Sequence, residues 1–426
     1  MKKFLKSDGA RTVMASLLSI LIGLAAGSII ILLVGLFNKD LSGRSIWEGI
    51  RLACGGLFST GRNASGSLTF GFNPTSMGNL LFRATPLIMT GLSVALAYKT
   101  GLFNIGAPGQ FLMGTMTTLF IALSVPSSSA TVEFAAQMGY TAGLPAWLVW
   151  LLAFLGGMIA GAVWGAIPGL LKALLNINEV LACIMTNWIA ANLVTWAFDS
   201  SNLKNAVENS KLGYIYKTSF NGVETTKLGL DKLFPGSQVN AGILIAIAFA
   251  VLVYILMNKT TLGYELKACG ANRFAARYAG IRDKRNIVLS MALAGALAGI
   301  GGALYYLAGN TEFFWSTYQS LPAVGFNGIP VALLASSNPI AVIFSGAFLS
   351  MLDICGQQLT ALTGYNEYIT DVIIAVIVYL SAFALLMKTL LAGRAKKADA
   401  APSEPANEPV NEPVKLDEAG KEKVAE

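Results

Sequence analysis

"GLFNIGAPGQ", residues 101–110, separates two apolar runs, and its reading decides how the chain folds. From Leu80 to Ser124 there are about 45 residues, room for two membrane helices of about 20 residues each and a tight turn. Irregular, polar backbone is tolerated at membrane depth only where protein or water satisfies it. Gly101, Gly106 and Gly109 permit close backbone approach, and Pro108 suits an early helical turn. Asn104 and Gln110 then stand either on a solute pathway or at a helix-packing joint.

The rest of the chain agrees with a membrane setting. Its 426 residues are 54% hydrophobic and only 12% charged, with 44 glycines and a formal net charge of +7. Soluble domains carry about 25% charged residues. Halving that share while keeping many small residues predicts an all-α polytopic membrane protein whose helices approach closely. With no histidine and four scattered cysteines (Cys54, Cys183, Cys269 and Cys355), His-based triads and zinc clusters are excluded, and no metal is expected. The first apolar run, 13–37, exceeds the 7–15 residues of a signal-peptide core, so it reads as a retained helix.

About ten spans are expected: 16–37, 79–98, 103–124, 147–171, 179–198, 240–257, 287–307, 321–335, 339–358 and 368–390. The eighth is short and suits a re-entrant helix. Basic clusters lie at the N-terminus, in the loop 258–286 and after residue 387. Six spans before that loop and four after it place all three clusters, and both termini, in the cytoplasm. The membrane domain is 1–391. Residues 392–426 are rich in Pro, Glu and Ala and are expected to be a disordered tail. On the outer side, "IWEGIRLACGGLF" (46–58) is amphipathic and suits the membrane surface.

Catalytic signatures are missing. There is no phosphate loop, HExxH, EF-hand loop or GxSxG elbow. Asp353 and Asp371, both within spans, form no evident acid pair; helix pairing and lining of a polar pathway both remain open for them. An ion-coupled secondary carrier would need an acid relay there, and an intramembrane enzyme would need a nucleophile or a metal.

In the basic loop, "TLGYELKACGANRFAARYAGIRDKR" (261–285), Asn272 is a helix cap and Gly280 a stop, bracketing a short helix over 273–279. Arg273 and Arg277 share one face, and Phe274 and Tyr278 the next. Two aromatic knobs with two cations suit a groove on another protein. The alternative is a basic loop that fixes topology and touches membrane lipid. Arg273 is expected to be mainly solvated.

Four stretches, "RATPLIMTGLSVALAYKTGLFNIGAPGQFLMG", "GAIPGLLKALLNINEVLACIMTNWIAANL", "TLGYELKACGANRFAARYAGI" and "GFNGIPVALLAS", resemble in order the permease subunits of bacterial ABC importers. The likeness is strongest to the nucleoside branch of the branched-chain amino acid, ribose and nucleoside permease family, and runs from about Leu81 to Leu386. One departure is Pro108, where the family commonly carries Glu. The resemblance implies a multi-pass protein of the bacterial cytoplasmic membrane. It implies docking of an ABC ATPase on Glu265, Arg273, Phe274, Arg277 and Tyr278. A second permease subunit making a heterodimer and an extracytoplasmic substrate-binding lipoprotein are implied as well. This chain would bind no cofactor, ATP and Mg belonging to the partner; nucleic acid is not a partner. A nucleoside needs a stacking surface and amides, which Asn187, Trp188 and Asn192, and Phe326 and Asn327, supply beside Asn104 and Gln110. A simple-sugar permease is the alternative reading. Glu179 is left as a gate residue or an interfacial charge.

Overall fold

A computed structural model of the chain describes residues 8–37, 43–205, 213–315, 320–366 and 368–382. The expected tail, 392–426, lies outside them. Each of the ten expected spans meets one helix, and residues 383–390 of the last lie outside the described residues. These are α1 (Asp8–Phe37), α3 (Pro74–Lys99), α4 (Ala107–Ser124), α6 (Ala146–Leu175) and α7 (Glu179–Asp199). They continue with α9 (Gly242–Lys259), α12 (Asp283–Tyr306), α13 (Ala323–Leu334), α14 (Pro339–Leu362) and α15 (Tyr368–Ala382). Among the described residues six of these, α3, α6, α7, α9, α12 and α14, are both long and apolar enough to cross a membrane. α4 opens with Pro108 and Gln110, which lower its apolarity. α13 has 12 residues, about 18 Å of helix, too short to cross a core about 30 Å thick.

One end of the bundle carries the short antiparallel hairpin β1 (Ser59–Arg62) with β2 (Leu68–Phe70). The amphipathic helix α2 (Gly43–Gly55) packs beside it, where Arg62 Nη2 donates to the buried Glu48 at 2.6 Å. Between α4 and α9 the same end holds the short helices α5 (Val132–Met138) and α8 (Leu230–Leu233) and the strand β3 (Tyr214–Ile215). β3 pairs with β4 (Phe313–Phe314), which lies between α12 and α13. The opposite end carries α10 (Thr261–Ala271) and α11 (Arg273–Tyr278).

The densest packing joins α6 to α12 along glycines. Gly157, Gly161 and Gly165, one per turn, face Gly295 and Gly299. A Cβ on Gly161 would lie 2.8 Å from Gly299 Cα, and one on Gly165 2.9 Å from Gly295 Cα. Without a hydrophobic drive between helices in lipid, such close backbone approach is what holds them. α3 is the other central helix, buried over most of its length between α12, α13 and α14.

The turn between α3 and α4 folds back into the bundle rather than lying beyond it. Asn104, at its centre, reaches Ser93, which is six residues before the end of α3. Gly101 (φ +73°) meets α10 at backbone contact, since a Cβ there would lie 2.8 Å from Gly270 Cα.

Candidate translocation and coupling sites

The buried turn is tied by a closed set of amides. Asn104 Nδ2 donates to Ser93 Oγ (2.9 Å) and to Gln110 Oε1 (2.7 Å), and Gln110 Nε2 donates back to Asn104 Oδ1 (3.0 Å). The Gly106 N–H donates to the same Asn104 oxygen. Asn187 on α7 accepts from the Gly109 N–H (2.9 Å) and donates to the Ile105 carbonyl (3.0 Å). All three amide side chains are buried. In this conformation they form a joint between α3, α4 and α7, and the freed backbone of the turn is satisfied by it. The two glycine–proline motifs also meet, because Gly325 at the start of α13 packs on Pro108, where a Cβ would lie 2.5 Å from Pro108 Cα.

The other expected pathway residues do not join this group. Helix α7 has one buried face of small residues, Ala182, Cys183, Thr186, Asn187, Ala190 and Ala191, and an opposite exposed face. Trp188 is on the exposed face with Ile184, Met185 and Ile189, and Asn192 bonds only its own helix there, to the Trp188 carbonyl at 2.8 Å. So Asn187 and Trp188, adjacent in sequence, point to different sides. On α13, Phe326 is exposed and Asn327 half-buried. Glu179 pairs with Lys172 across the α6–α7 turn at 3.0 Å. Asp353 pairs with Arg83 on α3.

A cavity of about 240 Å³ opens between α4, α7, the end of α12 and the segment descending to α13. Phe111, Tyr306, Phe313 and Trp315 line it, with Glu312 as its carboxylate. Tyr306 meets Phe313 edge-on at 5.4 Å, and Glu312 pairs with Lys217 at 3.3 Å. Sequence reading missed this group. Its signal was the run Glu312–Trp315, aromatic residues beside a charge just before a half-length helix.

At the loop end the short helix forms as expected and ends one residue early. Asn272 Oδ1 accepts from the N–H groups of Phe274 and Ala275, both at 3.0 Å, and Gly280 takes φ +82°. Phe274, Tyr278 and Tyr264 are strongly exposed. The charges are placed differently from expectation. Arg273 Nε donates to the buried carboxylate of Asp283 at 2.6 Å and Arg277 Nη2 reaches it at 3.2 Å. Glu265 accepts from Arg285 (2.8 Å) and Asn286 (3.1 Å). Arg273 is therefore held by an internal partner rather than by solvent. Glu265, Arg273 and Arg277 brace the loop, and the rings of Phe274 and Tyr278 are exposed on it together with much of Arg277.

A bundle of apolar helices with a braced, aromatic loop at one end and a half-length helix inside defines a multi-pass membrane transport subunit. The chain belongs to the family of the permease component of branched-chain amino acid transport systems, whose model matches residues 76–382. It is 35% identical over 341 residues to the nucleoside ABC transporter permease protein NupB of Lactococcus lactis, covering 76% of this chain and 88% of that one. It is 30% identical over 384 residues to the guanosine ABC transporter permease protein NupP of Bacillus subtilis, covering 90% and 97%. The glucose ABC transporter permease protein TsgB13 of Haloferax volcanii is 29% identical over 312 residues, 70% of this chain and 74% of that one. As a permease subunit the chain is non-catalytic, and ATP hydrolysis falls to a separate protein.

Proposed function

We propose that this permease carries nucleosides into a bacterial cell, driven by a partner ATPase that docks on α11 and fed by an extracytoplasmic binding lipoprotein. The observation that carries the substrate reading is the aromatic cavity of about 240 Å³ beside Tyr306 and Trp315, because flat rings suit a base and the carboxylate of Glu312 suits hydroxyls or base N–H groups. The names of NupB and NupP support it. Ten spans with both termini and the α10–α11 loop in the cytoplasm fit the ten helices, with the short α13 completing its crossing through the segment that descends to it. Lactococcus lactis holds two permeases similar to this chain, NupB and NupC, which supports a heterodimer with a second permease. In that assembly the exposed face of α7, with Trp188 and Asn192, and Phe326 and Asn327 on α13 lie where a partner and the pathway meet. Asn104, Gln110 and Asn187 act by holding the helices that line it. ATP and Mg sit on the ATPase.

The test is uptake of labelled uridine or adenosine by cells carrying the assembled transporter, against a panel of unlabelled solutes. Nucleosides should compete. Competition by glucose or ribose and by no nucleoside would move the protein to the sugar reading that TsgB13 favours; competition by leucine alone would refute both.

A further inference from the structure

Arg83 and Asp353 are 270 residues apart and form an ion pair between α3 and α14, each side chain more than a third exposed. Gln357, with its amide oxygen turned to Arg83, accepts from Nη1 at 2.5 Å and Nη2 at 2.7 Å, the orientation that leaves no donor facing a donor. Phe82 and Tyr305 stack beside them at 5.5 Å. Arg83 lies nine residues inside α3 and Asp353 nine residues before the end of α14, each about 14 Å from the hairpin end of its helix. That depth is inside the hydrocarbon layer of about 30 Å, where exposed charges must face protein or water rather than lipid.

What they face follows from α13. Thr90, two helical turns along the same face of α3 as Arg83, donates to the Val324 carbonyl in the first turn of α13 at 3.1 Å. The ion pair therefore stands seven residues, about 10 Å, above the level at which α13 begins. On that side of α13 the two charged side chains each keep more than a third of their surface exposed.

We infer that Arg83, Asp353 and Gln357 form a solute-contacting station in the hairpin-end half of the pathway, taking the vicinal hydroxyls of a neutral polyol such as a ribose ring. The group is net neutral, so it draws no ion. It offers carboxylate oxygens as acceptors and, from Gln357 Nε2, donors, which match a diol that must both give and take hydrogen bonds. The inference rests on the reading of the chain as a nucleoside pathway.

The test uses Gln357→Cys in the assembled transporter, with exposed Cys54 replaced by Ser. A membrane-impermeant, cationic thiol reagent added outside should label it. Saturating uridine should slow labelling at least fivefold, and 2′,3′-dideoxyuridine should not. Asp353→Asn should raise the KM for uridine about tenfold while leaving the folded yield intact. Labelling by a lipophilic maleimide alone, or none unless the partner permease is omitted, would overturn the station, since the face would then meet lipid or protein. Equal protection by both nucleosides would overturn its hydroxyl chemistry. Failure of wild-type nucleoside uptake would instead sink the substrate reading, and labelling by the cationic reagent is read independently of uptake.

Discussion

Asp283→Asn should free helix α11 without touching its aromatic surface. Asp283 sits at the start of α12 with only 7% of its side chain exposed and holds both arginines of α11. A hydrogen bond to a charged group contributes about 1.5–3 kcal/mol, which applies to the 2.6 Å contact with Arg273. The contact with Arg277 is discounted to under about 1 kcal/mol, because that side chain is 58% exposed and solvent screens it. The amide keeps an acceptor but loses the charge, so about 2 kcal/mol should go, roughly a thirtyfold shift in the docked population of α11. Helix α11 has six residues, far below the ~12–15 at which isolated helices become even marginal, so it has little stability of its own to offset this. Hydrogen exchange over residues 273–281 should speed up by that factor, and both ATPase co-purification and coupled uptake should fall. Unchanged exchange would show that the ion pairs do not hold the helix. Faster exchange with capture and uptake intact would show that its order is irrelevant to coupling.

Cutting Phe274 and Tyr278 together to Ala should weaken ATPase capture by well over tenfold, as hot-spot truncations cost about 2 kcal/mol each, while the chain still inserts and purifies; retained capture would refute the groove model. Arg273→Ala should impair capture by loosening α11, and adding Asp283→Ala to it should cost little more, which a double-mutant comparison of capture checks. Asn187→Ala leaves the buried Gly109 N–H and Ile105 carbonyl without their side-chain partner and should cost about 2–5 kcal/mol, read as a lowered melting temperature in detergent. Gly161→Ala puts a methyl 2.8 Å from Gly299 Cα and should cost about 1–3 kcal/mol or more by the same measurement. Vesicles holding this chain alone should accumulate no uridine; gradient-driven uptake by them would make it a secondary carrier.

The helices were legible because apolar length and local caps are written in consecutive residues. Asn272 and Gly280 bracket α11 by local hydrogen bonding and backbone freedom, and both act as their residue types require. Where side chains point was less legible. Asn187 and Trp188 are grouped as the amide and the stacking ring that a nucleoside needs, yet a helix turns about 100° between them. The small residues at 182, 183, 186, 190 and 191 already marked the packed face, leaving Trp188 outside it. The Arg83–Asp353 pair was hidden by separation, although a lone cation and a lone anion in two apolar runs are themselves a reason to pair them. Arg273 reads as a solvated charge because nothing local in the sequence shows that Asp283, ten residues on, folds back against it. Three-dimensional contact, not composition, decided which charges remained for a partner.

The contact of Gly101 with Gly270 has a mechanical meaning. No side chain lies between those two backbones to flex and absorb a push. The turn on one side of the contact is riveted through Asn104, Gln110 and Asn187 to α3, α4 and α7. Because packed interiors resist compression, α10 and the turn behave as a lever and its load with no slack between them. A push on α10 would be delivered to three helices at once, and lengthening the turn by even one residue would introduce play into that linkage.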